Sequence, residues 1–172
     1  MLATTISEEH RIQCMNAASF FELADVAISQ LKRDFPNGAY LVSGPITSGG
    51  LFDRFESVDI VGNISIVRET TNKLRRQEID VWDQTLYFPR LYELRVLWEA
   101  QDYKSHPHEY CAPMRDDFHA RIATSDPIVG GYFIDGWQSS NGSRRVCELL
   151  NQRKKEVIHL PRGYHRTPAP LE

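Results

Sequence analysis

The loop Gly136–Ser143 combines small hydroxyl side chains with glycine directly before a predicted helix. It reads GWQSSNGS, so Ser139, Ser140 and Ser143 surround a glycine at the point where the helix begins. Free backbone amides at the start of a helix favour an anion such as a phosphate. A plain helix with a serine cap has the same residue types. The loop therefore fits a ligand site or an ordinary helix start.

A second loop, Ser43–Gly50, follows a short apolar run and has a similar composition, SGPITSGG. Its three glycines admit backbone conformations that other residues avoid and let a ligand approach closely. Successive backbone amides in such a loop can bind an anion, and its hydroxyls add donors. A tight turn explains the composition equally well. The loop is neither a Walker-type phosphate loop, because no lysine follows the glycines, nor a GxGxxG fingerprint.

The predicted elements place both loops at one edge of a sheet. Apolar spacing and capping signals predict helices over residues 8–16, 19–35, 58–77, 91–98, 114–124 and 143–153. Short apolar runs predict strands over residues 39–43, 79–82, 127–134 and 156–159. Strands separated by helices imply right-handed crossovers and a mostly parallel sheet. Ligands bind beyond the carboxyl ends of such strands, where both loops begin.

The bulk composition is that of an ordinary globular domain and excludes several classes. The chain has 172 residues, 41% hydrophobic and 25% charged, with a formal net charge of −3, so we expect no nucleic-acid polymer as partner. No apolar run is long enough to span a membrane, and the acidic N-terminus does not look like a signal peptide. Three well-separated cysteines and the lone pair His106 and His108 give no metal-ligand spacing. We therefore expect a cytoplasmic protein with no metal and no cofactor.

At these loops the chain resembles the nucleoside 2-deoxyribosyltransferase-like superfamily, which includes deoxyribosyltransferases and deoxynucleoside-monophosphate N-glycosidases. The segment Tyr40–Thr47 looks like the family's first strand and ligand loop. The segment Ser125–Val129, followed by Gly136–Trp137, Ser140 and Gly142, looks like its later strand and phosphate or sugar loop. The resemblance implies a flavodoxin-like, doubly wound α/β fold with a mostly parallel sheet. Its carboxyl edge would cradle a nucleoside or nucleotide.

The resemblance covers about residues 39–160, which leaves one segment before it and one segment after it. Residues 1–38 are predicted to add an N-terminal helical extension, and residues 161–172, with three prolines, an extended tail. The resemblance implies that the ligand contacts both loops. The expected contacts are Ser43, Gly44, Pro45, Ile46, Thr47, Ser48, Trp137, Ser140, Gly142 and Ser143.

The family's catalytic carboxylates do not align with carboxylates in this chain. In active members a glutamate in the helix after the second loop attacks the anomeric carbon, and the sugar then passes to another base or to water. The matching position is Val146, and Glu148 lies two residues on, about 200° around a helix. The family often has an aspartate where this chain has Phe118, and Asp117 is one residue off.

Two interpretations of these departures stay open. Either the site is remodelled so that Asp117 and Glu148 are recruited through a local helix irregularity, or the usual nucleophile is absent, which we favour. Asp83, after the predicted second strand, and Asp135, beside Gly136, are further candidates for catalysis. Both have simpler roles as loop or capping residues.

Three functions follow from the sequence. The first is an enzyme that hydrolyses or transfers the N-glycosidic bond of deoxynucleosides or their monophosphates. The second is a catalytically inactive module of the same fold that binds or senses a nucleotide. The third is a structural domain that oligomerises through the aromatic-rich segment 82–98, although these aromatics fit a core better. The resemblance also suggests a homo-oligomer, and the segment 84–113 would shield the pocket or contact a partner.

Overall fold

Three short apolar runs form one parallel sheet. The computed structural model describes residues 7–45, 60–102 and 111–166 of the chain. Strand β1 is Ala39–Ser43, β2 is Ile128–Phe133 and β3 is Glu156–His159. They pair in the order β1-β2-β3, and both pairs are parallel. The α/β class and the parallel sheet are thus confirmed.

The prediction of a strand over residues 79–82 is wrong. Within that stretch only Val81 pairs with the sheet, in a single parallel bridge to Tyr40. The chain then turns into the 3-10 helix Gln84–Tyr87, because the Asp83 carboxylate accepts a hydrogen bond from a backbone amide of that turn. The bridge still places this segment beside β1, on the side away from β2. From β1 the chain passes first to the Val81 segment on one side and later to β2 on the other side. The strand order therefore reverses at β1.

The helices lie close to where the apolar spacing predicts them. Their bounds are α1 Glu8–Asn16, α2 Phe20–Asp34, α3 Ile60–Arg76, α4 Phe88–Asp102, α5 Arg121–Thr124 and α6 Asn141–Gln152. At the start of α2, the Ser19 hydroxyl accepts from the Glu22 amide at 3.1 Å. The Glu22 carboxylate accepts from the Ala18 amide at 2.7 Å. These two bonds confirm the predicted capping box.

The helix predicted over residues 114–124 is irregular. Its first part, Met114–Ala120, is a π-helix that runs directly into α5. A π-helical turn holds more residues than an α-helical turn, and such turns are frequent at functional sites. Within it, Asp117 is exposed, Phe118 is fully buried and His119 is partly buried. Three consecutive side chains thus have three different surroundings.

The sheet lies between two apolar clusters. Through these clusters, helices pack against both faces of the sheet. Along β1, Ala39 and Leu41 join the larger cluster with α2, α4, the π-helix and α6. Tyr40 and Val42 alternate with them and join the smaller cluster, which α3 completes. Alternation along a strand sends successive side chains to opposite faces. Helices on both faces of a parallel sheet are compatible with a doubly wound arrangement.

The N-terminal helices are part of the main core. Leu23 of α2 is fully buried, and the side chain of Gln30 is almost fully buried. His10 of α1 places its Nε2 atom 2.8 Å from the Tyr87 hydroxyl, which in turn donates to Gln30. Burial, with a contribution from Arg33, lowers the pKa of His10 below its usual value. This buried polar trio therefore connects α1 and α2 to the start of α4.

Part of the segment predicted as an extended tail packs against α3. Tyr164–Arg166 forms a 3-10 turn. The backbone oxygen of Tyr164 accepts from Lys73 Nζ at 2.7 Å, and its hydroxyl donates to Gln77 at 2.8 Å. Residues 167–172 lie outside the described part of the chain.

Replacing Gly130 by alanine is expected to lower the free energy of unfolding by about 1–3 kcal/mol. A Cβ at Gly130 would lie 2.6 Å from the backbone oxygen of Glu156 and 2.8 Å from a ring carbon of Tyr40, so neighbouring strands would have to move. Urea unfolding measures the change. Val129→Thr is the control, because Val129 is exposed and threonine is also β-branched. An unchanged unfolding midpoint for Gly130→Ala would contradict the close contact of β2 with β3.

Candidate functional site

A cleft opens at the carboxyl edge of the sheet, between the end of β1 and the start of α6. The free space in and above the cleft, with the open solvent at its mouth included, is about 680 Å³. On one side of β1 lies the Val81 segment, and on the other lies β2. Open parallel sheets bind ligands beyond the strand ends at such a reversal of strand order. The cleft is therefore where the topology places a ligand site.

Apolar and aromatic side chains form most of the described lining. They come from β1, the segment after Val81, α4, the π-helix, α5 and α6. They are Leu41, Trp82, Phe88, Leu91, Tyr92, Met114, Ile122 and Val146. Phe88 and Tyr92, one turn apart on α4, meet edge to face with ring centroids 6.4 Å apart. Such a wall suits a planar, largely apolar group such as a nucleobase.

Hydroxyl, amide and imidazole groups interrupt this wall. They belong to Ser43, Gln84, His119, Ser140 and Ser143. The Ser140 hydroxyl caps α6 by accepting from the Ser143 amide at 3.3 Å. The Gln84 side chain donates to the backbone oxygen of Val42, which anchors it to β1. Polar groups spaced around an apolar pocket fix the orientation of a ligand.

Half of the ten predicted ligand contacts meet in this cleft. Ser43 and Gly44 come from the first loop, and Ser140, Gly142 and Ser143 come from the second. The two loops are about a hundred residues apart in the chain, and the parallel pairing of β1 with β2 brings them together. These five residues of the two loops thus line one cleft, and their contact with a ligand stays a prediction.

Of the other predicted contacts, the structure describes Pro45 and Trp137, and neither belongs to the described lining of the cleft. Pro45 lines a small separate pocket with Asp135. Trp137 stacks on His159, with ring centroids 5.3 Å apart and planes 11° apart, and is absent from the described lining of the cleft. Ile46, Thr47 and Ser48 lie outside the described residues, as do His106 and His108.

The face of α6 that lines the cleft has Val146 and not Glu148. Val146 is buried, with 6% of its surface exposed, and contributes to the lining. Glu148 is exposed, and its carboxylate lies 3.5 Å from Arg145 one turn earlier. The expected direction of Glu148, away from the site, is confirmed. Its candidacy as a nucleophile therefore has no support from the geometry.

The remaining predicted carboxylates do not belong to the described lining of the cleft. The helix irregularity that one interpretation required for recruiting Asp117 is present as the π-helix, but it leaves the Asp117 side chain exposed. Asp83 is buried, and its carboxylate accepts from the Thr85 amide at 3.0 Å and the Thr85 hydroxyl at 2.6 Å. Asp83 is therefore a capping residue. Among the described residues, no carboxylate lines the cleft.

His119 is a lining residue that the sequence did not indicate. His119 belongs to the π-helix and lines the cleft, while the neighbouring Phe118 is buried in the core, and the two rings meet edge to face. Burial lowers the pKa of His119 to about 4. The imidazole is therefore neutral near pH 7, with one nitrogen that donates and one that accepts.

Residues of the aromatic-rich segment 82–98 belong to the core, and some of them also line the cleft. Trp82, Tyr87 and Phe88 are buried, which confirms their interpretation as core residues. Trp82 and Phe88 also face the cleft. The segment beginning at residue 84 thus forms part of the pocket wall. The prediction of a homo-oligomer stays a prediction.

Comparisons of the chain with protein-family models, with curated proteins and with solved structures find no match. The resemblance to the deoxyribosyltransferase-like superfamily therefore stays a prediction. In residues 7–45, 60–102 and 111–166, no helix is both long and apolar enough to cross a membrane. Within the same ranges, no three or more His, Cys, Asp or Glu side chains form a group that could hold a metal ion.

Proposed function

We propose that the cleft binds a nucleoside or nucleotide, in a flavodoxin-like fold of the deoxyribosyltransferase-like type. The base would pack against the aromatic wall around Phe88 and Tyr92. The sugar would lie near the hydroxyls of Ser43 and Ser140. The observation that carries this proposal is the meeting of both predicted loops in one cleft, at the sheet edge where the strand order reverses.

We further propose that the chain binds this ligand without cleaving its N-glycosidic bond. Cleavage by the family's route needs a carboxylate that can attack or stabilise the anomeric carbon. Val146 stands on the cleft face of α6, and no carboxylate belongs to the described lining. A valine side chain has no group that can attack carbon or move a proton. The protein would then act as a nucleotide-binding or sensing module.

Hydrolysis or transfer of the N-glycosidic bond is the second candidate. The position of the cleft is compatible with it, because open parallel sheets bind substrates and other ligands beyond the carboxyl ends of their strands. It requires a nucleophile within reach of the sugar. Glu148→Ala tests the predicted nucleophile on α6 directly.

Thermal unfolding with a panel of ligands tests the proposal. The panel contains the four deoxynucleosides, their 5′-monophosphates and the free bases. A ligand at one hundred times its dissociation constant adds about 2.7 kcal/mol of stability, which raises the midpoint by about 5–10 °C. We expect such a shift for at least one deoxynucleoside or its monophosphate. The Glu148→Ala variant should show the same shift, since its side chain lies outside the cleft.

Chromatography of the same mixtures separates the two candidates. We expect the nucleosides and monophosphates to be recovered intact after long incubation. Free base that accumulates in proportion to protein concentration would contradict the binding module. If that release disappears in Glu148→Ala, Glu148 is the working carboxylate and α6 must rearrange. No midpoint shift with any ligand would contradict nucleoside binding itself.

A further inference from the structure

His119 is one of the polar groups that the cleft offers to a ligand. Among the other polar lining side chains, Ser140 caps α6 and Gln84 is held by β1, whereas no hydrogen bond joins the Ser43 and Ser143 hydroxyls to another described residue. The His119 ring contacts Phe118, and no hydrogen bond joins its nitrogens to another described residue. A polar group without a partner in an apolar pocket is stabilised when a ligand supplies that partner. The rigid imidazole is thus a group on which the polar edge of a ligand ring can act.

A neutral imidazole suits an uncharged heterocycle. One ring nitrogen donates and the other accepts, and the edges of nucleobases offer both acceptors and donors. The aromatic side chains of Phe88 and Tyr92 would contact the face of the same ring. A base could therefore stack on the wall while its edge bonds to His119.

The described lining offers no cation for a phosphate. It contains no lysine and no arginine. Near the start of α6, Arg144 donates to the backbone oxygen of Gln138 and to the Asn141 side chain. Arg145 pairs with Glu148 on the outer surface. Beside these described residues, a phosphate would meet the backbone amides at the start of α6 but no cationic side chain with which to pair.

We infer that His119 is the ligand-recognising residue of the cleft, and that it selects an uncharged nucleoside over the corresponding 5′-monophosphate. His119 reaches the cleft from the π-helix Met114–Ala120, in which Phe118 belongs to the core. This inference rests on the proposed function and deepens it. The base would form its hydrogen bonds with His119, and the sugar would lie at the start of α6.

Calorimetric titration of the full chain at pH 7.5 tests the selectivity. The probes are deoxyadenosine, deoxyguanosine, deoxycytidine and thymidine, each paired with its 5′-monophosphate. We expect the best-bound nucleoside to bind about tenfold more tightly than its monophosphate. A monophosphate that binds as tightly or more tightly would overturn the selectivity while the proposed function stands. If none of the eight probes binds, the proposed function fails with the inference.

Variants of His119 test the contact. His119→Phe removes the hydrogen bond and should weaken the best-bound nucleoside about tenfold. His119→Gln keeps a donor and an acceptor and should bind between the wild type and His119→Phe. Asp117→Asn, two residues away on the exposed face, is the matched control and should bind as the wild type does. Unchanged affinity in a folded His119→Phe protein would overturn the contact.

Imidazole nitrogen spectra give a second measurement that needs no variant to fold well. Two-bond ¹H–¹⁵N correlation spectra of the wild-type protein report the ring nitrogens of each histidine. We expect the nitrogens of one histidine to shift on addition of the best-bound nucleoside, and that signal to be absent from the spectrum of His119→Gln. Binding without any change in the His119 signals would overturn the inference and leave nucleoside binding intact.

Discussion

Filling the cleft through Val146→Phe is expected to weaken nucleoside binding about a hundredfold or more. Val146 is 6% exposed and lines the cleft, so a larger side chain there enters the space that the ligand needs. Because Val146 also belongs to the main apolar cluster, we expect the larger ring to cost about 1–3 kcal/mol of stability. Calorimetric titration gives the affinity, and urea unfolding gives the stability.

Glu148→Phe is the matched control for that change. It adds the same ring to α6, but on the exposed face beside Arg145. We expect it to bind nucleosides as the wild type does. Equal affinity for Val146→Phe and the wild type, with both proteins folded, would mean that ligands bind somewhere other than this cleft.

Truncating Phe118 is expected to cost about 3–5 kcal/mol of unfolding free energy in the Phe118→Ala variant. Phe118 is fully buried, and its ring centroid lies 6.1 Å from that of Tyr87. The loss would leave a cavity between the π-helix and the start of α4. Urea unfolding monitored by tryptophan fluorescence measures the change.

Asp117→Ala is the control from the preceding position. Its side chain is exposed, so we expect a change within about 0.5 kcal/mol. A larger loss for Asp117→Ala than for Phe118→Ala would show that the register of the π-helix is wrong.

The fold could be read from the sequence wherever apolar spacing and caps agreed. The capping box at Ser19 and Glu22 placed the start of α2 to within one residue. The apolar runs of β1 and β2 predicted the strands and, with the intervening helices, their parallel pairing. These signals are local, and each residue type has a direct steric or hydrogen-bonding reason for its position.

The prediction of a strand over residues 79–82 was wrong because its composition favours a strand, whereas the residues that follow form a 3-10 turn. Ile79 and Val81 favour a strand, but the Asp83 side chain closes the 3-10 turn that follows. The turn leaves room for one bridge only. A capping interaction of one aspartate thus outweighed the β-propensity of two apolar residues.

The candidate site was predicted in part. The register of α6 indicated that Val146 lies on the cleft side of the helix and Glu148 does not, because helical geometry alone fixes that angle. His119 was missed, because apolar spacing marked only Phe118 and Ile122 as the inward-facing residues of that helix. The aromatic side chains of the cleft wall were predicted as core residues but not as cleft-lining residues. Large apolar side chains are typical of both places, so their residue types do not distinguish the two.

Titration of the wild-type chain with deoxynucleosides at pH 7.5, followed by chromatography of the contents of the calorimeter cell, tests the central claim most directly. We expect saturable binding of at least one deoxynucleoside, which is then recovered intact. Absence of binding by all four deoxynucleosides and their monophosphates would contradict the assignment of the cleft. Binding accompanied by steady release of free base would contradict the conclusion that Val146 replaces the nucleophile.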